Sequence, residues 1–167
     1  MPSHPVFPGV LPPESQTVKL LVRAATPTDI SAMMALERHA ATAAHWSALQ
    51  HQAALDGAGP RRLALVIEED FALCGFLVAR AVSNEWELEN LAVAGVARRR
   101  GLGTRLLGEF LSQVRGEGAE AVFLEVRESN HAARQLYEKW AFVEAGRRHR
   151  YYQYPEEDAI LYRLDFA

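Results

Sequence analysis

The chain has 167 residues, 49% of them hydrophobic, which suffices for the buried core of a single domain of ordinary size. A net charge of −3 and a pI near 6.1 provide no broad basic surface, so direct nucleic-acid binding is not expected; a lone cysteine, Cys74, excludes an internal disulfide, and six scattered histidines without Cys pairs give no metal-ligand spacing. No run approaches the roughly 20 apolar residues of a membrane span, and the opening MPSHPVFPGVLPPESQ has neither a positive nor an apolar leader region, so a cytoplasmic protein with no membrane partner is expected.

Pro2, Pro5, Pro8, Pro12 and Pro13 forbid regular pairing and predict a mobile tail over residues 1–17, leaving 18–167 as the domain. VKLLVRAA, residues 18–25, reads as a strand. Thr26 then serves as a helix cap, with Pro27 at the first helical position and Asp29 in the first turn, and this helix runs to about Ala40. A second helix is predicted from Trp46 to Leu55, ended by the glycines and proline of DGAGP. Three strands follow, RRLALVIEE, ALCGFLVARAV and WELENLAV, the first two joined by a turn at Glu69-Asp70. Apolar residues at Leu102, Leu106, Leu107, Phe110, Leu111 and Val114 keep helical spacing and predict a helix from Gly101 to about Gly116. AVFLEVR is the next strand, Asn130 caps a helix reaching Trp140, and FVEAGRR and DAILYRLDF close the chain as strands. The order β-α-α-β-β-β-α-β-α-β-β places early hairpins beside one β-α-β crossover. That is an α/β fold of the α+β type, not the regular alternation of a doubly wound sheet.

The crossover carries the densest chemistry. RRRGLG, residues 98–103, lies at a strand-to-helix turn, where the first helical amides have no internal partner and the macrodipole is positive. Gly101 and Gly103 would let a phosphate approach the backbone, with Leu102 and Thr104 in the same turn and Arg98, Arg99 and Arg100 adding charge. A glycine turn with basic neighbours is as often a solvated loop. In AVFLEVR, alternation sets Phe123, Glu125 and Arg127 on one face and Leu124 and Val126 on the other, so Glu125 is a carboxylate inside an apolar run. Its plain reading is a solvated or arginine-paired glutamate on a half-exposed strand.

R-x-x-G-x-G opening a helix resembles the pyrophosphate-binding turn of the GCN5-related N-acetyltransferases (GNAT). NLAV before the turn, LEVRESNHAARQLYEKWAF after it and RRHRYYQYPEEDAILYRL at the end match that superfamily in order. More narrowly, LEVR-x-SN, A-x-x-LYE-x-x-x-F, RR-x-x-YY and EDAI are similar to the bacterial ribosomal-protein alanine N-acetyltransferases, the RimI family. The resemblance spans about residues 18–166. It implies a GNAT fold, with a mixed, mostly antiparallel twisted sheet flanked by helices. It also implies acetyl-CoA as donor and the N-terminal alanine of a ribosomal protein as acceptor.

On the same resemblance, Glu125 is the general base, directly or through a water, and Tyr137 is the general acid that returns a proton to the CoA sulfur. Glu87 and Glu89 remain rivals for the base, since related acetyltransferases carry theirs on the preceding strand. Leu91, Ala92 and Val93 would pair with the pantetheine arm, residues 98–104 with the pyrophosphate, and Asn130 would both cap its helix and touch the cofactor. Glu37, Trp46 with its neighbour His45, and Tyr151 and Tyr152 would border the peptide groove. The bland readings are a packing anchor for Trp46, a core aromatic for Tyr137, and a solvated basic edge, or a patch meeting ribosomal RNA, for RRHRYY. The chain departs from the RimI pattern at Ala94-Gly95-Val96-Ala97, where Asp-Pro and an aromatic are common, and at Arg98, where Gln is frequent. Two other functions stay open: acetylation of a small amine or aminoacyl-tRNA, and a non-catalytic acyl-CoA-binding module. Glu125, Asn130 and Tyr137 occurring together argue against the module.

Overall fold

The computed structural model describes residues 17–40, 44–95 and 101–167. The expected tail, apart from Thr17, and Arg98, Arg99 and Arg100 lie outside that set. Strand β1 (Leu20–Ala24) leads through a 3₁₀ turn (Pro27–Asp29) into helix α1 (Ile30–Arg38), followed by α2 (Ala48–Leu55). Strands β2 (Arg62–Glu69), β3 (Ala72–Val82) and β4 (Glu85–Val93) form the meander. Then come α3 (Leu102–Gly116), β5 (Ala121–Arg127), α4 (His131–Lys139), β6 (Val143–Tyr152) and β7 (Glu157–Asp165).

Local chemistry accounts for the helix starts. Asp29 Oδ2 accepts from the Thr26 N–H at 2.8 Å, and the chain turns first as 3₁₀ before widening into α1. The second helix begins two residues later than expected because Ser47 and Gln50 form a reciprocal cap: Ser47 Oγ accepts from the Gln50 N–H, and Gln50 Oε1 accepts from the Ser47 N–H. The hairpin between β2 and β3 also shifts by one residue. Glu69 still pairs with Ala72, and the turn is made by Asp70 and Phe71, both with positive φ.

The seven strands form one sheet in the order β1-β2-β3-β4-β5-β7-β6, antiparallel except between β4 and β5, which α3 joins as the expected crossover. Helices cover both faces. Leu65, Ile67, Leu77 and Ala79 pack with the apolar stripe of α3, whereas Ala64, Val66, Phe76 and Val78 pack with Met33 of α1 and Ala54 of α2. Both faces of β2 and β3 are thus buried, which is why these strands read as unbroken apolar runs.

Two features of β4 create the site. Against β3 the register jumps from Ala79↔Leu88 to Val78↔Asn90, so Glu89 is a bulged residue. The bulge exchanges the faces: Trp86 and Leu88 belong to the α3 side, and beyond it Leu91 and Val93 do, while Asn90 and Ala92 turn toward α1 and α2. Against β5, pairing runs only from Glu85↔Ala121 to Leu88↔Leu124. From there β4 continues along β3 and β5 along β7, and the two strands part.

Candidate active site

The parting of β4 and β5 opens a cavity of about 290 Å³ at the middle of the sheet. Glu89 and Leu91 line it from β4, Glu125 and Arg127 from β5, Asn130 and Tyr137 from the α4 end, and Tyr152 from β6; Ala44 and His45 close the side toward α2. Residues far apart in the chain therefore meet because one sheet position lacks a strand pairing.

Glu125 alternates out of the core as expected, with Leu124 and Val126 buried on the opposite face. Its Oε1 accepts from Arg148 Nε at 2.7 Å, a partner supplied by β6. The rival carboxylates have arginine partners as well: Glu87 accepts from Arg80 Nε at 2.6 Å, and Glu89 accepts from Arg62 Nε at 3.0 Å with Arg80 also near. Glu87 does not line the cavity.

Tyr137 is buried, with its ring 5.7 Å from Phe142 and 6.2 Å from Tyr162. Burial, helped by the nearby Tyr152, pushes its phenol well above the ordinary value of 10. The core-aromatic and cavity-wall readings of Tyr137 hold together: the ring packs in the core while the residue borders the cavity. Tyr152 is likewise pushed up, to about 12, first by burial and then by the negative charge of Glu125. The Arg127 guanidinium lies 4.2 Å from the centre of the Tyr152 ring and holds that ring at the cavity wall. Tyr151 sits outside it, half exposed, edge-on to Tyr152 at 5.1 Å.

At the N-terminus of α3, Gly101 is the cap residue in a left-handed conformation, φ 78°, and a Cβ there would meet nothing within 4 Å among the described residues. Gly103 differs. A Cβ on it would lie 3.3 Å from Leu136 Cδ2 and 3.7 Å from Val93 Cγ2, so its lack of a side chain lets α3 approach α4 and β4. Leu102 has its side chain in the core, 2% exposed, which leaves only its backbone for a ligand. Of the β4 expectation, Leu91 lines the cavity, Ala92 is buried toward α1, and Val93 packs on the α3 side. Asn130 caps α4, its Oδ1 accepting from the Ala133 N–H at 3.2 Å, and also borders the cavity.

Of the residues expected at the peptide groove, His45 and Tyr152 line the cavity, whereas Glu37, Trp46 and Tyr151 do not. Glu37 is not on the cavity wall; it is 2% exposed, its carboxylate accepting from the Trp46 N–H, from His51 Nε2 and from Asn90 Nδ2. Trp46 packs its ring 5.3 Å from that of His51, as an anchor. The preceding residues, Ala44 and His45, are the ones that reach the cavity. His51 escaped notice in the sequence because its partner lies on another helix; the polar Asn90 inside ELENLAV was the only local sign. Among the described residues no group of three or more His, Cys, Asp and Glu could hold a metal ion, and no helix is long and apolar enough to cross a membrane.

Comparison with known proteins agrees with this geometry. The sequence model of the acetyltransferase (GNAT) family matches residues 30–142. The chain is 36% identical over 142 residues to the ribosomal protein bS18-alanine N-acetyltransferase of Salmonella typhimurium, covering 84% of this chain and 93% of that protein. It is 39% identical over 106 residues to the enzyme of the same name from Haemophilus influenzae, covering 62% and 72%. Among solved structures, the ribosomal-protein-S18-alanine N-acetyltransferase from Escherichia coli superposes with a TM-score of 0.79 at 30% identity, over 89% of this chain and 95% of that one. Ard1 from Thermoplasma volcanium, at TM-score 0.78 and 24% identity over 89% and 98%, shares the fold. With the family model matched over more than half of its length and its open seam between β4 and β5, the chain belongs to the acetyltransferase (GNAT) family and is an N-acetyltransferase of the RimI kind.

Proposed function

We propose that this enzyme transfers an acetyl group from acetyl-CoA to the free N-terminal amine of an alanine-initiated ribosomal protein in the cytoplasm. The observation that carries the reading is the convergence of Glu125, Asn130 and Tyr137 on one cavity beside an unpaired stretch of β4. Two features fit the donor. After Leu88 the β5 side of β4 has no ladder partner among the described residues, so an extended amide-bearing arm could add there as a strand would. The N-terminus of α3 follows a glycine with no described atom within 4 Å of where its Cβ would lie, which suits a pyrophosphate. Gly101, Gly103, Thr104 and the Leu102 backbone would hold that group, together with Arg98, Arg99 and Arg100.

Acetyl-CoA, when bound, supplies the acyl group as a thioester. Glu125 takes a proton from the acceptor ammonium, directly or through a water, and frees the nitrogen lone pair to form the new N–C bond. Tyr137 donates its proton to the sulfur as the C–S bond breaks, and is reprotonated, through water, by the second proton that the nitrogen sheds on becoming an amide. Its raised pKa suits this role, because the phenol stays protonated throughout the range in which an α-amine is deprotonated. A backbone N–H of the Leu91–Val93 stretch would face the oxygen on which charge develops. A thiol-release assay with a panel of peptides, small amines and charged tRNA tests the reading: release with an alanine-initiated peptide supports it, and a clear preference for an amine or tRNA replaces the acceptor.

A further inference from the structure

The acceptor side of the cavity is built on a buried polar cluster whose purpose the reaction chemistry does not explain. Glu37 of α1 receives three donors on two oxygens. Oε2 accepts from the Trp46 N–H at 2.5 Å; Oε1 accepts from His51 Nε2 of α2 and, at 3.3 Å, from Asn90 Nδ2 of β4. His51 is fully buried, against Trp46 on one side and Phe76 on the other, and its Nδ1 has no partner among the described residues. Burying a carboxylate, an imidazole and an amide here is costly relative to apolar packing, so the arrangement calls for a specific use.

That use is visible one residue upstream of Trp46. His45 lines the cavity and has a left-handed backbone, φ 52°, a conformation that a side-chain-bearing residue keeps only when its surroundings enforce it. The enforcing contact is the Trp46 N–H bond to Glu37, with the Trp46 ring pinned on His51. Asn90 ties the same carboxylate to β4, between the cavity-lining residues Glu89 and Leu91. The cluster thus ties residues 44–46 to β4 beside the cavity that Glu125 lines.

We infer that Glu37 is a positioning residue for the acceptor: through Trp46 and Asn90 it sets His45 and Ala44 as the wall against which the acceptor's first residues pack, and so determines which amines fit. The inference rests on the acetyl-transfer reading and extends it to acceptor selection.

The test is Glu37→Gln. A glutamine presents one oxygen and one NH₂, so in one orientation its NH₂ meets the Trp46 N–H and in the other it meets the His51 and Asn90 donors, while size and shape are kept. The expected result is a rise of about ten- to hundredfold in KM for the acceptor, as misplaced positioning groups produce, with kcat changed less. The dissociation constant for acetyl-CoA, measured by calorimetry, should stay within about twofold of wild type, because the α3 turn does not touch the cluster. Amide exchange at Trp46, read without any acceptor, should accelerate in Glu37→Gln. An unchanged acceptor KM with slow Trp46 exchange in a folded Glu37→Gln protein overturns the inference. So does an equal loss of acceptor and acetyl-CoA affinity, which marks a merely structural residue. Failure of the wild type to acetylate an alanine-initiated peptide instead counts against the reaction reading, and the same comparison is then made on the amine it does acetylate.

Discussion

Arg148 Nε on β6 donates to Glu125 Oε1 on β5 across 2.7 Å, although β7 lies between the two strands. The arginine is more than half exposed, at 55%, and stands 5.5 Å from the Tyr151 ring, so the contact joins the carboxylate of the cavity to the solvent-facing edge of the sheet. The pair aims Glu125 without burying it, and a cationic amine entering the cavity meets the same carboxylate. Replacing Glu125 by Gln should keep the shape and the acetyl-CoA affinity while reducing kcat by roughly 10²- to 10⁴-fold, the range of a lost general base. Steady-state kinetics on Glu125→Gln and Glu89→Gln decide between the two strands. Full rate in the first and loss in the second would move the base to β4.

Tyr137 gives a prediction with a definite sign in pH. Its pKa is raised above 10 by burial, so the protonated, donor-competent form persists at every pH below that value. The wild-type kcat should therefore show no alkaline decline due to this residue up to about pH 10, and Tyr137→Phe should lower kcat by roughly 10²-fold or more across the whole range. A Phe variant at full rate would leave Tyr137 as packing alone.

The two glycines of the α3 turn should respond differently. Gly101→Ala forces a side-chain-bearing residue into the left-handed region at about 1–2 kcal/mol, yet its Cβ meets nothing, so the fold should survive with a modest drop in Tm. Gly103→Val meets Leu136 and Val93 and should lower Tm as well as acetyl-CoA affinity. Calorimetric titration beside thermal melts separates the effects. Near wild-type affinity in a folded Gly101→Val protein would remove the turn from the donor site.

The distance between these expectations and the sequence reading shows where one-dimensional information ended. Helix α3 was legible to its last turn because its stripe has helical period and every member is buried: Leu102, Leu106, Leu107, Phe110, Leu111 and Val114. Glu125 and Asn130 were legible from alternation and capping. The length of β6 was not: it runs to Tyr152 instead of stopping at Arg148, because an edge strand exposed almost throughout shows no burial alternation. Nor was the Glu89 bulge, since ELENLAV keeps its alternating pattern of burial while the faces it addresses change sides. Nor was the buried cluster of Glu37, whose partners lie 9, 14 and 53 positions away, since no local pattern reports such a pairing.

Acid stability should carry the signature of Asp29. Two bonds at 2.8 Å from Arg23, more than any other cause, hold its carboxyl below the ordinary value of 3.8 in the folded state. A depressed folded pKa contributes stability that is complete above the unfolded value and is lost as pH falls through the folded one. The stability difference between wild type and Asp29→Asn should thus be constant near neutrality and shrink below about pH 4. Urea titrations at a series of pH values check it; a difference that grows on acidification would contradict the assignment.

Gly108 faces the indole of Trp140, where an added Cβ would lie 2.9 Å from the ring. A ring packed in that position cannot yield as a flexible chain end does, so Gly108→Ala should destabilise by about 1–3 kcal/mol despite the better helix propensity of alanine. A melting temperature equal to or above wild type would show that α3 and α4 have room to separate.

The most direct measurement compares two acceptors under one condition. A free α-amine, with a pKa near 8, is far easier to deprotonate than a lysine amine near 10.4, which at pH 7 leaves roughly a few hundredfold more nucleophile. A wall at Ala44 and His45 adds exclusion of large first residues by overlap. A peptide beginning with free alanine, taken from the ribosomal acceptor, should be acetylated at least about a hundredfold faster in kcat/KM than the same peptide blocked at its N-terminus and carrying an internal lysine. Equal rates on the two peptides, or a higher rate on a polyamine or an aminoacyl-tRNA, would contradict N-terminal acetylation as the function while leaving the acetyl-CoA chemistry in place.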